Sequence, residues 1–287
     1  SYDVLLEKVV GADGLVCLLT DRIDDQLMDA AGDQLRVISQ MAVGFDNIDT
    51  KAATERGIAV GHTPGVLTDT TADFAFTLLM AAARRVTEGA RYVQEGHWKT
   101  WGPTLLMGYD VYGSTLGLVG SGRIGQAVAR RASGFNMRIL CYDPFVDEDV
   151  ITAFGAESTS LENVLSESDF VSLHVPLTRE TRHMIGASQF RDMKSTCVLV
   201  NTSRGPVVDT EALYHALKDG EIAYAALDVT DPEPLSEQDP ILALPNCLVV
   251  PHIASASVST RTKMVIMAVE NLRAGLNGQR LPYCVNP

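Results

Sequence analysis

The sequence predicts an α/β protein of two doubly wound parallel-sheet domains, and three observations carry that expectation. Its 287 residues exceed what one hydrophobic core usually serves. Short Val/Ile/Leu-rich runs alternate with amphipathic segments, which is the pattern of strands joined by crossover helices. Two longer helical stretches interrupt the alternation where the chain would cross between domains.

In chain order, Val4 to Val10 has a helix-like pattern almost directly after Ser1, so the leading strand of such a domain is expected to lie outside this sequence. Strands are expected at Gly14–Leu19, Leu35–Ser39 and Ile58–Val60, then at Thr115–Val119, Arg138–Tyr142, Phe170–Val175, Cys197–Asn201, Ala223–Asp228 and Cys247–Val250. One long helix is expected from about Thr71 to Tyr92, with Arg84-Arg85 near its middle, and another from about Ser259 to Gly275. If both connect domains, residues 1–69 and 258–287 form one discontinuous domain and residues 70–257 are inserted in it. The clearest loop, Thr230 to Pro240, carries Asp231-Pro232-Glu233-Pro234, where two prolines discourage helix.

A net charge of -13 without a Lys/Arg cluster repels phosphate backbones and argues against a nucleic-acid partner. No apolar run reaches the roughly 20 residues of a membrane helix, so no membrane partner is expected. The five cysteines are odd in number and widely spaced, mostly within apolar runs. They read as buried thiols, with no disulfide and no metal site. This usage, and the lack of a charged-then-apolar leader, favours the cytoplasm.

Gly120-Ser121-Gly122-Arg123-Ile124-Gly125 follows the expected strand Thr115–Val119 and opens a helix from about Arg123 to Ala132. Two glycines let the backbone turn and approach a pyrophosphate, the third permits close helix packing, and the helix start supplies free amides. The next strand ends in Asp143, about 20 residues beyond the glycines, where a carboxylate binds an adenosine ribose and repels a 2′-phosphate. Strand, helix and acid together predict a Rossmann domain for NAD(H); glycines alone would also serve merely to turn a strand into a helix.

Three further segments end expected strands in polar residues, where open parallel sheets collect ligands. In Asn201-Thr202-Ser203-Arg204-Gly205, the planar fork of Arg204 can grip a carboxylate and polarise a neighbouring carbonyl. In Pro251-His252-Ile253, the histidine can deliver a proton, and a carboxylate on its other nitrogen would favour imidazolium near neutral pH. Leu227-Asp228-Val229 leads to Glu233, which could be that carboxylate. Taken singly, Arg204 also reads as a surface ion-pair residue, His252 as a satisfied core histidine and Glu233 as a solvated loop acid.

These motifs, in this order, resemble the D-isomer-specific 2-hydroxyacid dehydrogenases. The resemblance extends upstream through Val43-Gly44-Phe45-Asp46-Asn47-Ile48-Asp49, Thr63-Pro64-Gly65 and Thr71-Ala72-Asp73, and so covers nearly the whole chain. It implies a discontinuous flavodoxin-like substrate domain around the Rossmann domain, and NAD(H)-dependent reduction of a small 2-oxo acid to the D-2-hydroxy acid. By residue, it implies Arg204 as carboxylate and carbonyl binder, His252 as general acid and Glu233 as its partner. Asp228 would hold the nicotinamide carboxamide, Thr202 and Ser203 would lie along the cofactor, and Pro176 would wall the adenosine pocket. Arg204 and His252 would touch both substrate and cofactor, and the Val43-Gly44 backbone would bind the substrate carboxylate. His174 falls in the adenosine segment and is not expected to be catalytic.

Within that family, Trp98 to Pro103, Leu105 to Gly108 and Pro282 to Asn286 resemble the glyoxylate and hydroxypyruvate reductases. The two tryptophans also fit an arm of the homodimer that family members form through the cofactor domain. The alternatives are a 3-phosphoglycerate or broad-specificity dehydrogenase and a non-enzymatic NAD-sensing corepressor. Two departures from the pattern stand out: Asp143-Pro144-Phe145 stands where basic residues sometimes accommodate NADP, and the first strand, helix and following strand of the substrate domain are expected to lie outside this sequence.

Overall fold

The computed structural model describes residues 1–286; Pro287, the last residue of the tail noted above, lies outside them. The chain divides into two compact units, residues 1–67 with 255–287, and residues 68–254. The boundaries expected from the sequence fall at 69/70 and 257/258.

The first unit is built on three parallel strands, β1 (Gly14–Cys17), β2 (Val37–Gln40) and β3 (Ala59–Gly61), in the order β1-β2-β3. Helices Asp25–Ala31 and Thr50–Glu55 start where Asp24 and Asp49 accept the amides of Leu27 and Ala52, at 3.1 and 2.9 Å. Their apolar faces meet the sheet in a core that includes Ile23, Leu27, Met28, Ile38, Ala53 and Val60. The helix Val258–Leu276 packs so tightly on this sheet that a Cβ on Gly275 would lie 2.5 Å from Val37, and one on Gly14 would lie 2.8 Å from Leu272. The segment after it returns along β3, with Val285 donating to the Val60 carbonyl at 2.7 Å.

The second unit is a seven-stranded parallel sheet. Its strands are β4 (Thr115–Val119), β5 (Arg138–Tyr142), β6 (Glu157–Ser158), β7 (Phe170–Leu173), β8 (Val198–Asn201), β9 (Tyr224–Leu227) and β10 (Cys247–Val249), in the order β10-β9-β8-β7-β4-β5-β6. Successive residues feed opposite faces: Phe170, Val198, Val200 and Ala226 enter one core, while Val171, Leu199, Ala225 and Leu227 enter the other. Helices cover both faces, which is why these strands read as continuous apolar runs. The chain winds outward from β4 in one direction and restarts at β7 in the other. The ends of β4 and β7 therefore form the switch point at which such sheets bind ligands.

One expected element is corrected. The helix anticipated from Thr71 to Tyr92 is two helices, Thr68–Ala83 and Val86–Gln94. Arg85 breaks the run with left-handed backbone (φ 50°), and its guanidinium bonds Glu88 in the next turn at 2.6 and 2.8 Å. The Ala83 carbonyl accepts from the Tyr109 amide at 2.8 Å, and a Cβ on Gly108 would lie 2.1 Å from that carbonyl oxygen. A distant backbone segment thus occupies the space that a continuous helix would need. The two-residue strand β6 is an addition to the expected set. Among the described residues no helix is long and apolar enough to cross a membrane.

Candidate active site

The glycine segment stands at the switch point of the second unit. Gly120 leaves β4 with φ 100°, and a Cβ there would lie 2.8 Å from the backbone carbon of His174, just beyond β7. Only glycine suits both the conformation and that approach. A Cβ on Gly125 would lie 2.3 Å from the Gly120 oxygen, so the helix Arg123–Ser133 sits directly on the turn. Gly122 is the N-cap of that helix, and its Cβ direction meets nothing within 4 Å. Arg123 and Ile124 form its first turn; Arg123 is exposed and Ile124 packs against the core.

Asp143, one residue beyond β5, is tied to this turn. Its Oδ2 accepts the Ser121 amide at 2.8 Å and the Ser121 hydroxyl at 2.9 Å, and its Oδ1 accepts the Phe145 amide at 3.0 Å. Ser121 is not among the site residues expected from the sequence; its position between the first two glycines is the only signal it carries. Pro176 is exposed in the loop after β7, and its carbonyl accepts from the Thr181 hydroxyl at 2.7 Å.

At the end of β8, buried Asn201 shapes the Arg204 loop. Its Oδ1 accepts the Ser203 amide and hydroxyl at 3.0 and 2.8 Å, and its Nδ2 donates to the Arg204 carbonyl at 2.9 Å. Arg204 Nη1 donates to the Ser203 carbonyl at 2.8 Å. The Thr202 hydroxyl is buried without a hydrogen-bond partner among the described residues. An unpartnered buried hydroxyl is costly unless a ligand satisfies it. With the open space at Gly122 and the helix start behind it, this fits a dinucleotide along the strand ends.

The end of β9 supplies Asp228, which is 1% exposed. Burial raises its pKa, against the bonds that its two oxygens accept from the Ile253 and Ala254 amides at 2.7 and 2.9 Å. Its carbonyl accepts the His252 amide at 2.9 Å. These bonds hold His252 in left-handed backbone (φ 51°), a conformation that a non-glycine residue keeps only when its surroundings impose it.

The imidazole Nδ1 of His252 lies 2.6 Å from Glu233 Oε1, with the side chains 23% and 32% exposed. Burial raises the Glu233 pKa, but the His252 hydrogen bond and charge, the Thr230 amide and the Arg204 charge outweigh it, and the net shift is downward. Glu233 is therefore held as a carboxylate, facing a ring that can carry a proton to a substrate. Arg204, Glu233 and His252 thus come from three loops at the C-terminal ends of β8, β9 and β10. Val43 and Gly44 belong to the first unit, in the loop that follows β2.

Four cysteines and His174 lack the chemistry. Burial pushes the thiols of Cys17, Cys141, Cys197 and Cys247 up to about 12, which leaves no thiolate near neutral pH. Desolvation pushes His174 down to about 4, and its Nε2 lies 2.9 Å from the Ser172 hydroxyl.

The chain is 60% identical to a glyoxylate reductase of Korarchaeum cryptofilum over 287 residues, covering 100% of this chain and 86% of that protein. A solved structure from Thermus thermophilus is 50% identical and superposes with a TM-score of 0.92, covering 98% of this chain and 88% of that one. A D-lactate dehydrogenase from Aquifex aeolicus, solved with NAD and lactic acid, is 29% identical, with a TM-score of 0.86 and coverage of 98% and 89%. Residues 76–254 match the model of the D-isomer specific 2-hydroxyacid dehydrogenase NAD binding domain. By that match and these identities, the chain belongs to the D-isomer specific 2-hydroxyacid dehydrogenases and binds NAD through its second unit.

Proposed function

We propose that this protein reduces glyoxylate, and hydroxypyruvate with it, to the corresponding 2-hydroxy acid at the expense of NADH. The observation that carries the reading is the 2.6 Å pairing of His252 with Glu233. A paired imidazole at a strand end is what carbonyl reduction requires of a proton donor.

In this reading Arg204 grips the substrate carboxylate with its fork and polarises the keto oxygen. NADH, held by the residues named below, would supply the hydride to the carbonyl carbon. The His252 imidazolium gives its proton to the keto oxygen and becomes neutral, while Glu233 remains a carboxylate and keeps the ring oriented. Asp228 retains lone pairs after accepting two amides, and these take the nicotinamide carboxamide. Thr202 and Ser203 line the cofactor, and Pro176 walls its adenosine end. Gly120, Gly122, Arg123, Ile124 and Gly125 seat the pyrophosphate, Asp143 the adenosine ribose, and the Val43-Gly44 backbone binds the substrate carboxylate.

A second copy of this chain is the proposed partner, bound through the cofactor unit. Val86, Val93, Trp98, Trp101, Met107 and Tyr112 are exposed apolar side chains within one stretch of it, an unusual density for a solvated surface. The proposed compartment is the cytoplasm, where five free cysteines would stay reduced.

The test is NADH oxidation with glyoxylate, hydroxypyruvate, pyruvate and 2-oxoglutarate, with light scattering for the dimer. Glyoxylate or hydroxypyruvate should have the highest kcat/KM. NADH binding without turnover of any of the four would overturn the assignment.

A further inference from the structure

The loop after β2 has its carbonyl oxygens taken one after another. Ala42 O accepts the Thr63 amide at 2.8 Å, Val43 O accepts His62 Nδ1 at 2.9 Å, and Gly44 O accepts Gln40 Nε2 at 3.1 Å. In a trans peptide the N–H lies opposite the C=O. The amides of Val43, Gly44 and Phe45 are therefore each turned away from the donor that holds the carbonyl of the same peptide, and a backbone N–H left free in this way can bind an anion. This is the backbone assigned above to the substrate carboxylate.

Of the donors, His62 is the one whose side chain holds the peptide between Val43 and Gly44. A carbonyl oxygen can only accept, so Nδ1 carries the proton. The residue itself has little freedom. Its amide donates to the Tyr283 carbonyl at 3.1 Å, and its own carbonyl accepts Asn271 Nδ2 at 3.0 Å. Asn271 is fully buried, and its Oδ1 accepts the Tyr283 amide at 3.1 Å. A Cβ on the preceding Gly61 would lie 2.7 Å from the Asn271 side chain, so the backbone cannot drift toward the helix. The Phe45 ring stands edge-on to the imidazole, with centroids 5.6 Å apart at 82°.

We infer that His62 is a positioning residue for the 2-oxo acid: its imidazole fixes the Val43-Gly44 peptide so that the amide turned away from it meets the substrate carboxylate. The inference rests on the function proposed above. It assigns the C-terminal segment a task as well, because Asn271 and Tyr283 set the backbone from which the imidazole reaches the loop.

Crossed substitutions separate the hydrogen bond from the packing of the ring. His62→Asn keeps a donor without the ring, and His62→Phe keeps a ring without the donor. For His62→Phe and His62→Ala, the KM for glyoxylate should rise about 3- to 10-fold, the worth of one net hydrogen bond. Their kcat should stay within about twofold and their NADH affinity should be unchanged, since the proton donor and the cofactor groups are untouched. His62→Asn should return KM to within about twofold of the parent. Melting temperatures are measured alongside, so that all variants are assayed folded. A parental KM in His62→Phe, or a His62→Asn as impaired as His62→Phe, overturns the inference alone. Absence of turnover in the parent protein removes the proposed reaction, and this inference with it.

Discussion

Gly205 approaches Thr230 so closely that a Cβ on it would stand 1.9 Å from the Thr230 carbonyl oxygen. Both partners are backbone, so neither can swing aside. The Arg204 loop and the loop bearing Glu233 are thereby locked in register, and the Thr210 hydroxyl bonds the Asp231 carbonyl at 3.0 Å beside that contact. Gly205→Ala must push the two loops apart. Displacement on the scale of 1 Å can cost about 10²-fold in rate, so kcat/KM should fall to that degree. Unchanged kcat/KM in steady-state assays would show that the two loops adapt independently.

Asp143 has two tasks, and one substitution exposes both. A carboxylate beyond β5 repels the 2′-phosphate of NADPH, so the protein should prefer NADH. The same carboxylate holds the amide and hydroxyl of Ser121 between the first two glycines. Asp143→Ser should narrow the cofactor preference and also weaken NADH binding, by fluorescence titration. A parent protein that works equally well with NADPH would refute the first task, and undiminished NADH affinity in the variant would refute the second.

The strands of the larger sheet were legible because burial on both faces leaves mostly apolar residues in them, and Thr115–Val119 and Arg138–Tyr142 match the expected limits. The break at Arg85 was not legible. Nothing local demands it, since its cause is the approach of Gly108 to Ala83 from a distant segment. Glu157–Ser158 is too short and too polar to register as a strand. Arg204, Glu233 and His252 were singled out by the order of their motifs and the resemblance these carry, since taken singly each also reads as an ordinary surface, loop or core residue. Composition cannot tell which nitrogen of a histidine faces which carboxylate 19 residues away. Asn201 and His62 escaped because their work is to hold backbone, which requires the loops to be seen.

His174 makes the cofactor unit sensitive to acid. Desolvation lowers its pKa from 6.5 to about 4, so the folded state refuses a proton that the unfolded chain accepts. With more protons bound in the unfolded state, stability falls as pH drops through 6.5 and the loss levels off below about 4. His174→Gln should flatten that part of the curve in urea unfolding from pH 7 to pH 4. An equally steep decline in the variant would assign the sensitivity to other groups.

Arg204 engages the substrate in both ground and transition states in the proposed mechanism. Arg204→Ala should therefore raise KM and lower kcat together, whereas Arg204→Lys keeps the charge, loses the fork and recovers only part of either. Full activity in Arg204→Lys would mean that a point charge suffices and that the planar grip is not used.

The pH profile offers the sharpest test of the His252–Glu233 pair. The imidazolium must be present to protonate the keto oxygen, so the rate of reduction falls on the alkaline side as His252 loses its proton. The His252 hydrogen bond and charge keep Glu233 ionised despite burial that opposes it, so a full negative charge stands 2.6 Å from the ring. Glu233→Gln keeps the size and a hydrogen-bonding side chain but removes the charge. With that charge gone, the alkaline limb of kcat/KM should move to lower pH. Below the shifted limb the variant should regain a large part of the parental rate, because the acid itself remains. His252→Ala instead should lose about 10² to 10⁴ in kcat at every pH, with NADH affinity nearly unchanged. The two variants thus fail differently, one in its titration and the other in its chemistry. If Glu233→Gln leaves the limb where it is in the parent, the 2.6 Å contact serves only to hold the loop and the proton donor works without a partner.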